Sequence, residues 1–208
     1  MARLNTLWVH RCGGMQEVLQ GRQPTMDDID KLPYCSAVVL ETLRQHPPAY
    51  MIGRCAREDA RLGDSGFSVT KGTTALVAPY LLHHNTQRWE TPGRFVPERW
   101  FKSTNGPKKV NWRVELKGFG DNDSYLPFGG GPRVCIGTSF AFVEAVVVLA
   151  MILQRFSLAP EDPGQRFPPP QPLITLRPKS VRVRLLQRVP QRAEAVANKP
   201  VSTPATAM

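Results

Sequence analysis

Phe128-Gly129-Gly130-Gly131-Pro132-Arg133-Val134-Cys135-Ile136-Gly137 is the stretch on which the chain turns, a lone cysteine in a glycine-rich loop just ahead of an apolar run. Glycines let a backbone take positive φ and come close to a flat ligand. Backbone N–H groups of such a loop are able to donate to a sulfur, and the N-terminus of a following helix favours thiolate over thiol. Arg133, two residues before Cys135, is placed to reach an acidic group on whatever the sulfur holds. On these grounds alone the segment reads either as a thiolate metal-ligand site or as an inert, buried cysteine in a turn.

Working outward, Thr138 to Leu158 reads as the strongest helix. Phe140, Val143, Val146, Val147, Leu149, Met151, Ile152 and Leu153 make it apolar nearly all round, which predicts burial. Beyond it, Leu173–Arg177 and Val181–Leu186 read as a hairpin turning at Pro178-Lys179-Ser180, its second strand alternating one face in and one face out. The Ala, Pro, Thr and Ser content of residues 188–208 predicts disorder. On the upstream side, residues 82–124 are broken by Pro92, Pro97, Gly106 and Pro107 and read as irregular. An irregular stretch of that length usually has a function or wraps something. Tyr50–Arg54, Phe67–Thr70 and Thr73–Ala78 read as short strands with turns at Gly63–Gly66 and Lys71-Gly72. The adjacent His83 and His84, if on a strand, point to opposite faces. Pro33–Gln45 reads as a helix opened by its proline and ended by His46-Pro47-Pro48. Another helix starts at Thr25-Met26-Asp27-Asp28, and Met15–Gln20 is a helix end stopped by Gly21. Residues 1–14 show no periodicity and are not expected to be native structure.

With 208 residues the chain is one domain or a piece of a larger one. The longest apolar run, Phe140–Leu153, is interrupted by Glu144 and falls short of a bilayer span. No apolar stretch follows Met1-Ala2-Arg3-Leu4-Asn5, so a signal peptide is not expected. The net charge of +10 comes from Arg and Lys scattered between Arg3 and Lys199, with no dense basic run. That argues for a solvated basic surface, or a face for an acidic protein partner, and not for nucleic acid. Cys12, Cys35, Cys55 and Cys135 form no CxxC pair, which suits a reducing compartment.

Phe128-x-x-Gly131-x-Arg133-x-Cys135-x-Gly137 resembles the haem signature of the cytochrome P450 family at every fixed position, and Phe140-Ala141-x-x-Glu144 resembles its continuation. Glu41-Thr42-Leu43-Arg44 resembles the ExxR of the family's K helix, where residues three apart share a helix face and pair. Pro97-Glu98-Arg99-Trp100 resembles the PER motif, whose Arg99 joins Glu41 and Arg44 in a Glu–Arg–Arg network. Either short motif alone is common by chance; the order of all three carries the resemblance. It spans residues 15–187, the C-terminal portion of the family's domain. The implied fold is mainly α with small β sheets (α+β), an incomplete half of the P450 fold.

The resemblance implies that Cys135 is the proximal ligand to the iron of haem b. It implies Arg133, and also Arg54 and His84, as partners of the haem propionates, with Phe128, Gly131 and Gly137 shaping the loop around the sulfur. Tyr50-Met51-Ile52 and Leu173-Ile174 correspond to walls near the haem, although the residues themselves read as core. The implied function is that of a haem-thiolate monooxygenase, which inserts one oxygen atom of O2 into an organic substrate with electrons from a protein donor, an NADPH-dependent flavoprotein reductase. The family's distal Ala-Gly-x-x-Thr acid–alcohol pair, its Trp-x-x-x-Arg motif and an N-terminal membrane anchor have no counterpart here. No catalytic residue is therefore assigned, the chain alone is not expected to turn over substrate, and a complete protein of microsomal type would be membrane-associated. The alternatives are a non-catalytic haem-binding module, an isomerase or lyase working on peroxides, and a basic interaction domain whose motifs are relics.

Overall fold

Helix α1 (Gly14–Leu19) ends where Gln20 and Gly21 take φ of 47° and 85°. It opens the computed structural model, which describes residues 14–102, 109–117, 124–162 and 169–188. The expectations for residues 1–13 and 189–208 lie outside the described residues. The helix expected at Thr25 is a 3-10 turn, Met26–Lys31, capped as the sequence implied. It stops because Leu32 precedes Pro33, whose ring disfavours the α region for the residue before it. Asp28 is the cap's anchor, accepting from the Thr25 N–H at 2.9 Å and from the Arg22 guanidinium at 2.6 and 2.8 Å.

Those bonds, the Arg22 guanidinium foremost, hold the Asp28 carboxyl well below the usual carboxylate range. A depressed folded-state pKa contributes stability that is complete above the unfolded value of about 3.9 and lost as pH falls through the folded value. Asp28→Asn is therefore expected to flatten the acid limb of stability below about pH 4. Urea midpoints measured from neutral pH downward check this; a parent and variant that lose stability in parallel would remove Asp28 from the account.

Helix α2 (Pro33–Gln45) has the expected bounds. After it, β1 (Ile52–Cys55), β2 (Ala60–Arg61), β3 (Ser68–Val69) and β4 (Thr74–Val77) form two antiparallel pairs, β1 with β4 and β2 with β3. Helix α3 (Pro79–His83) follows; His83 is its last residue and His84 its cap, so the two histidines are not on a strand. The long stretch expected to be irregular also holds a 3-10 turn at Pro97–Trp100 and helix α4 (Trp112–Glu115).

Helix α5 runs Thr138–Arg155 and gives way at once to β5 (Phe156–Pro160), so the last expected turn of the helix is strand. The expected hairpin is also differently paired. β6 (Pro170–Pro172) joins β7 (Leu176–Pro178), while β8 (Val183–Gln187) crosses back to β5, with Phe156 opposite Gln187 and Pro160 opposite Val183. The whole of β8 is exposed and has no inward face. Leu173 and Ile174 form the bend between β6 and β7 and are exposed, as is Met51; none of the three is core.

The core lies between α2 and α5, closed on one side by α1 and the Met26–Lys31 turn. Leu40 of α2 and Phe142, Val146, Ala150 and Leu153 of α5 are buried in it, and Trp112 of α4 stacks on Phe142 with ring centroids 4.7 Å apart. Burying each large apolar side chain contributes about 1.5–3 kcal/mol. The expectation that α5 is buried all round is overturned: Phe140 is 74% exposed and Ile152 38%. Among the described residues no element covers that side. Over 18 residues α5 reaches the length and apolarity of a bilayer span, longer than the run read from the sequence, yet one face of it is packed in the protein core.

Candidate functional site

The loop around Cys135 is shaped by its own backbone. The Cys135 N–H donates to Phe128 O at 3.0 Å, and the Val134 N–H donates to Gly131 O at 3.0 Å. Thr138 donates to Cys135 O through both its N–H (3.3 Å) and Oγ1 (2.6 Å), which joins the loop to the first residue of α5. Gly129 and Gly131 sit at φ 73° and 69°, the left-handed region that side-chain-bearing residues rarely adopt. A Cβ on Gly129 would stand 3.6 Å from Ile52 Cδ1, so the loop lies against β1. A Cβ on Gly137 would stand 3.8 Å from Cys135 Sγ, and glycine leaves that side of the sulfur bare.

Cys135 is exposed, and so are its neighbours Ile136 and Phe140. Among the described residues the thiol is therefore not buried, unlike the inert cysteine the sequence also allowed. A bare thiol just ahead of an 18-residue helix, with glycine on one side of the sulfur, is open to a flat ligand carrying a metal ion that a thiolate binds. Phe128 is half-buried behind the loop and Arg133 is exposed in the 3-10 turn Gly131–Arg133. Arg54 is exposed on β1, its Nη1 donating to Gly53 O at 2.8 Å. His84 has Nδ1 2.8 Å from Tyr80 O and its ring tilted against Tyr80. No hydrogen bond joins Arg133, Arg54 and His84 among the described residues. Tyr50 OH donates to Leu173 O at 3.2 Å, bringing together the two segments expected as walls.

Behind the loop, Glu41, Arg44 and Arg99 meet. Glu41 and Arg44 are 0% exposed and doubly bonded, Nε to Oε2 at 3.0 Å and Nη2 to Oε1 at 2.9 Å. Arg99 Nε reaches Glu41 Oε2 at 3.2 Å. Two donors not foreseen complete the carboxylate's shell: Trp100 Nε1 at 3.0 Å from Oε2 and the Val96 N–H at 2.9 Å from Oε1. Arg44 also donates to His83 O (2.7 Å), Pro92 O (2.9 Å) and Arg94 O (3.2 Å), so one side chain stitches the end of α3 and two loop carbonyls to α2. The only sequence signal for Trp100 was its place next to the motif arginine. Nothing in the sequence signalled the carbonyls.

Tyr125 caps this region. Its ring lies 4.7 Å from that of Trp100, and its hydroxyl donates to Leu40 O at 2.8 Å. Burial, then the Glu41 and Glu115 charges, raise its pKa well above the ordinary value, which keeps it a donor at every working pH. Tyr125→Phe is expected to cost about 1 kcal/mol, the net worth of one buried hydrogen bond. A urea midpoint unchanged in the variant would show the bond to be dispensable. A cleft of about 210 Å3 opens beside the network, lined by Trp89, Arg99, Trp100, Lys102 and Glu115 among others. It does not include Cys135, whose apolar surroundings form an open face.

The family model for cytochrome P450 matches residues 14–185, nearly all of the described chain. This chain belongs to the cytochrome P450 family. P450 relatives include the leukotriene-B4 omega-hydroxylase 3 of Mus musculus, 36% identical over 166 residues, covering 78% of this chain and 29% of that protein. The steroid 17-alpha-hydroxylase/17,20 lyase of Homo sapiens is 39% identical over 151 residues, 72% of this chain and 27% of that one. Among solved structures, a zebra fish cytochrome P450 with abiraterone superposes with a TM-score of 0.70 at 31% identity, covering 88% of this chain and 41% of that one. The chain thus spans under a third of the length of these curated relatives. Its mix of helices and small sheets is the P450 fold in part. By their names, the two curated relatives are a hydroxylase and a hydroxylase/lyase.

Proposed function

We propose that Cys135 ligates the iron of haem b through its thiolate, and that in the complete protein this supports insertion of one oxygen atom of O2 into an organic substrate. The observation that carries this is the exposed Cys135 thiol, held in a glycine loop at the head of α5 among exposed apolar side chains. Haem, when bound, supplies the iron at which O2 is activated, and a thiolate ligand favours O–O cleavage. The protein's share is positional. Gly131 and Gly137 keep the loop thin against the group, Phe128 backs it, and Arg133, with Arg54 and His84, binds its acidic substituents. Glu41, Arg44 and Arg99 hold the loops behind the site in place.

Electrons come from an NADPH-dependent flavoprotein reductase, whose acidic surface suits the net charge of +10. A complete protein of microsomal type would be membrane-associated. The 208-residue chain by itself does not turn over substrate. Titrating the purified chain with haem and recording the spectrum of its ferrous carbon monoxide complex tests ligation: the red-shifted band of a thiolate ligand is expected, and a protein that folds without taking haem would overturn it. Hydroxylated product from the chain with reductase and NADPH would overturn the statement on turnover.

A further inference from the structure

The hydrogen bonds that reach Cys135 begin at His83. This imidazole, at the end of α3, is 0% exposed. Its Nε2 lies 2.9 Å from Leu126 N and accepts that N–H. A nitrogen that accepts carries no proton, so Nδ1 is the protonated one, and it donates to Arg44 O at 3.0 Å. Burial above all, aided by the Arg44 charge and opposed by the Arg44 carbonyl, lowers its pKa to about 4. The ring packs against those of Tyr125 and Trp89, with centroids 5.2 and 6.5 Å away. Its own carbonyl accepts from Arg44 Nη1 at 2.7 Å, so α2 grips it at both ends.

From Leu126 further bonds follow along the loop, linked through the backbone. Leu126 O accepts the Gly129 N–H at 3.2 Å, Phe128 O accepts the Cys135 N–H at 3.0 Å, and Cys135 O accepts the Thr138 N–H at 3.3 Å. The path leads from the last turn of α2, through one imidazole, to the sulfur-bearing residue and the head of α5. A phenyl ring would fill the same space without either ring bond. The choice of histidine is thus explained by its two nitrogens.

We propose that His83 is a positioning residue for Cys135, fixing the run from Leu126 to the cysteine loop by holding the Leu126 N–H from the end of α2. Its functional meaning rests on the haem-thiolate reading of Cys135; the clamp itself belongs to the chain without haem.

The test uses the full 208-residue chain with His83→Phe, which keeps a ring but neither bond, and His83→Gln, whose amide restores a donor and an acceptor. Amide hydrogen exchange without haem is the first readout and the ferrous carbon monoxide spectrum with haem the second. His83→Phe is expected to speed exchange at Leu126, Gly129 and Cys135 by about tenfold or more, as an orphaned buried donor should, with α5 unchanged. The thiolate-ligated share should fall with it, and His83→Gln should recover most of both. Parent-like exchange in His83→Phe overturns the proposal, and so does faster exchange with an unaltered thiolate band. Loss of protection across the whole core in both variants makes His83 a packing residue and also overturns it. If the parent takes no haem, the haem-thiolate reading fails by itself and exchange still decides the clamp.

Discussion

Cys135→Ala is expected to abolish the thiolate spectrum and leave the fold intact. The two halves of that result have different causes. The side chain is exposed, and exposed substitutions away from special features change stability by no more than about 0.5 kcal/mol. The loop does not depend on the sulfur either, because its bonds run through the Cys135 N–H to Phe128 O and through Cys135 O to Thr138. Haem affinity should fall by more than the roughly 100-fold that disturbing an outer-shell partner of a metal site costs. Parallel urea unfolding and haem titration of parent and variant separate the two. A variant with a parent-like carbon monoxide band would refute ligation by Cys135; one that unfolds at markedly lower urea would show the residue to be structural.

Glu41→Ala is expected to have the opposite profile, destroying the fold before any question of haem arises. Truncation strips Arg44, itself 0% exposed, of the carboxylate it pairs with and leaves it, among the described residues, with carbonyl partners. It also orphans the Trp100 indole N–H and the Val96 N–H. Removing one partner of a buried ion pair costs about 3–5 kcal/mol. Whole domains are stable by only about 5–15 kcal/mol, and α5 presents an apolar side that nothing covers among the described residues. The expected result is loss of a cooperative urea transition, followed by the fluorescence of Trp89 and Trp100. Glu41→Gln keeps the shape and one good acceptor and should retain a weakened transition. A joint Glu41→Met and Arg44→Met replacement should recover part of the loss, since well-packed apolar residues often substitute for a buried pair without penalty. A Glu41→Ala chain that unfolds with the parent's midpoint would mean that the network holds nothing together.

How much of this was legible in the sequence depended on the range of the interaction. The Glu41–Arg44 pair was legible because three residues on a helix is a fixed distance, and the bounds of α2 because Pro33 and Pro47 act on their immediate neighbours. The cysteine loop was legible as a string of residue types whose chemistry is local. Whether the thiol was bare or buried was not, because that depends on what packs over it. The apolar run through Phe156–Leu158 was read as helix because periodicity alone does not separate a buried helix from a strand; the pairing of β5 with β8 decided it. The apolar composition of α5 was read as burial all round, whereas composition says nothing of what is present to cover a face. His83 was visible only as half of a histidine pair, since its partners are a carbonyl 39 residues before it and an N–H 43 residues after it.

The pairing of β5 with β8 also sets a schedule for synthesis. β5 follows α5 directly, but its partner is made only when Val183–Gln187 has been translated, and the last bond of the pair, Arg188 N–H to Arg155 O at 2.8 Å, later still. Until then a nascent chain carries a complete apolar helix ending in an unpaired strand edge, a ready template for another chain. A stop codon a few residues upstream of Val183 would remove little mass and none of the haem-loop residues. It would leave that edge open for the lifetime of the polypeptide, so the damage from late truncation is aggregation, although the Cys135 loop is untouched.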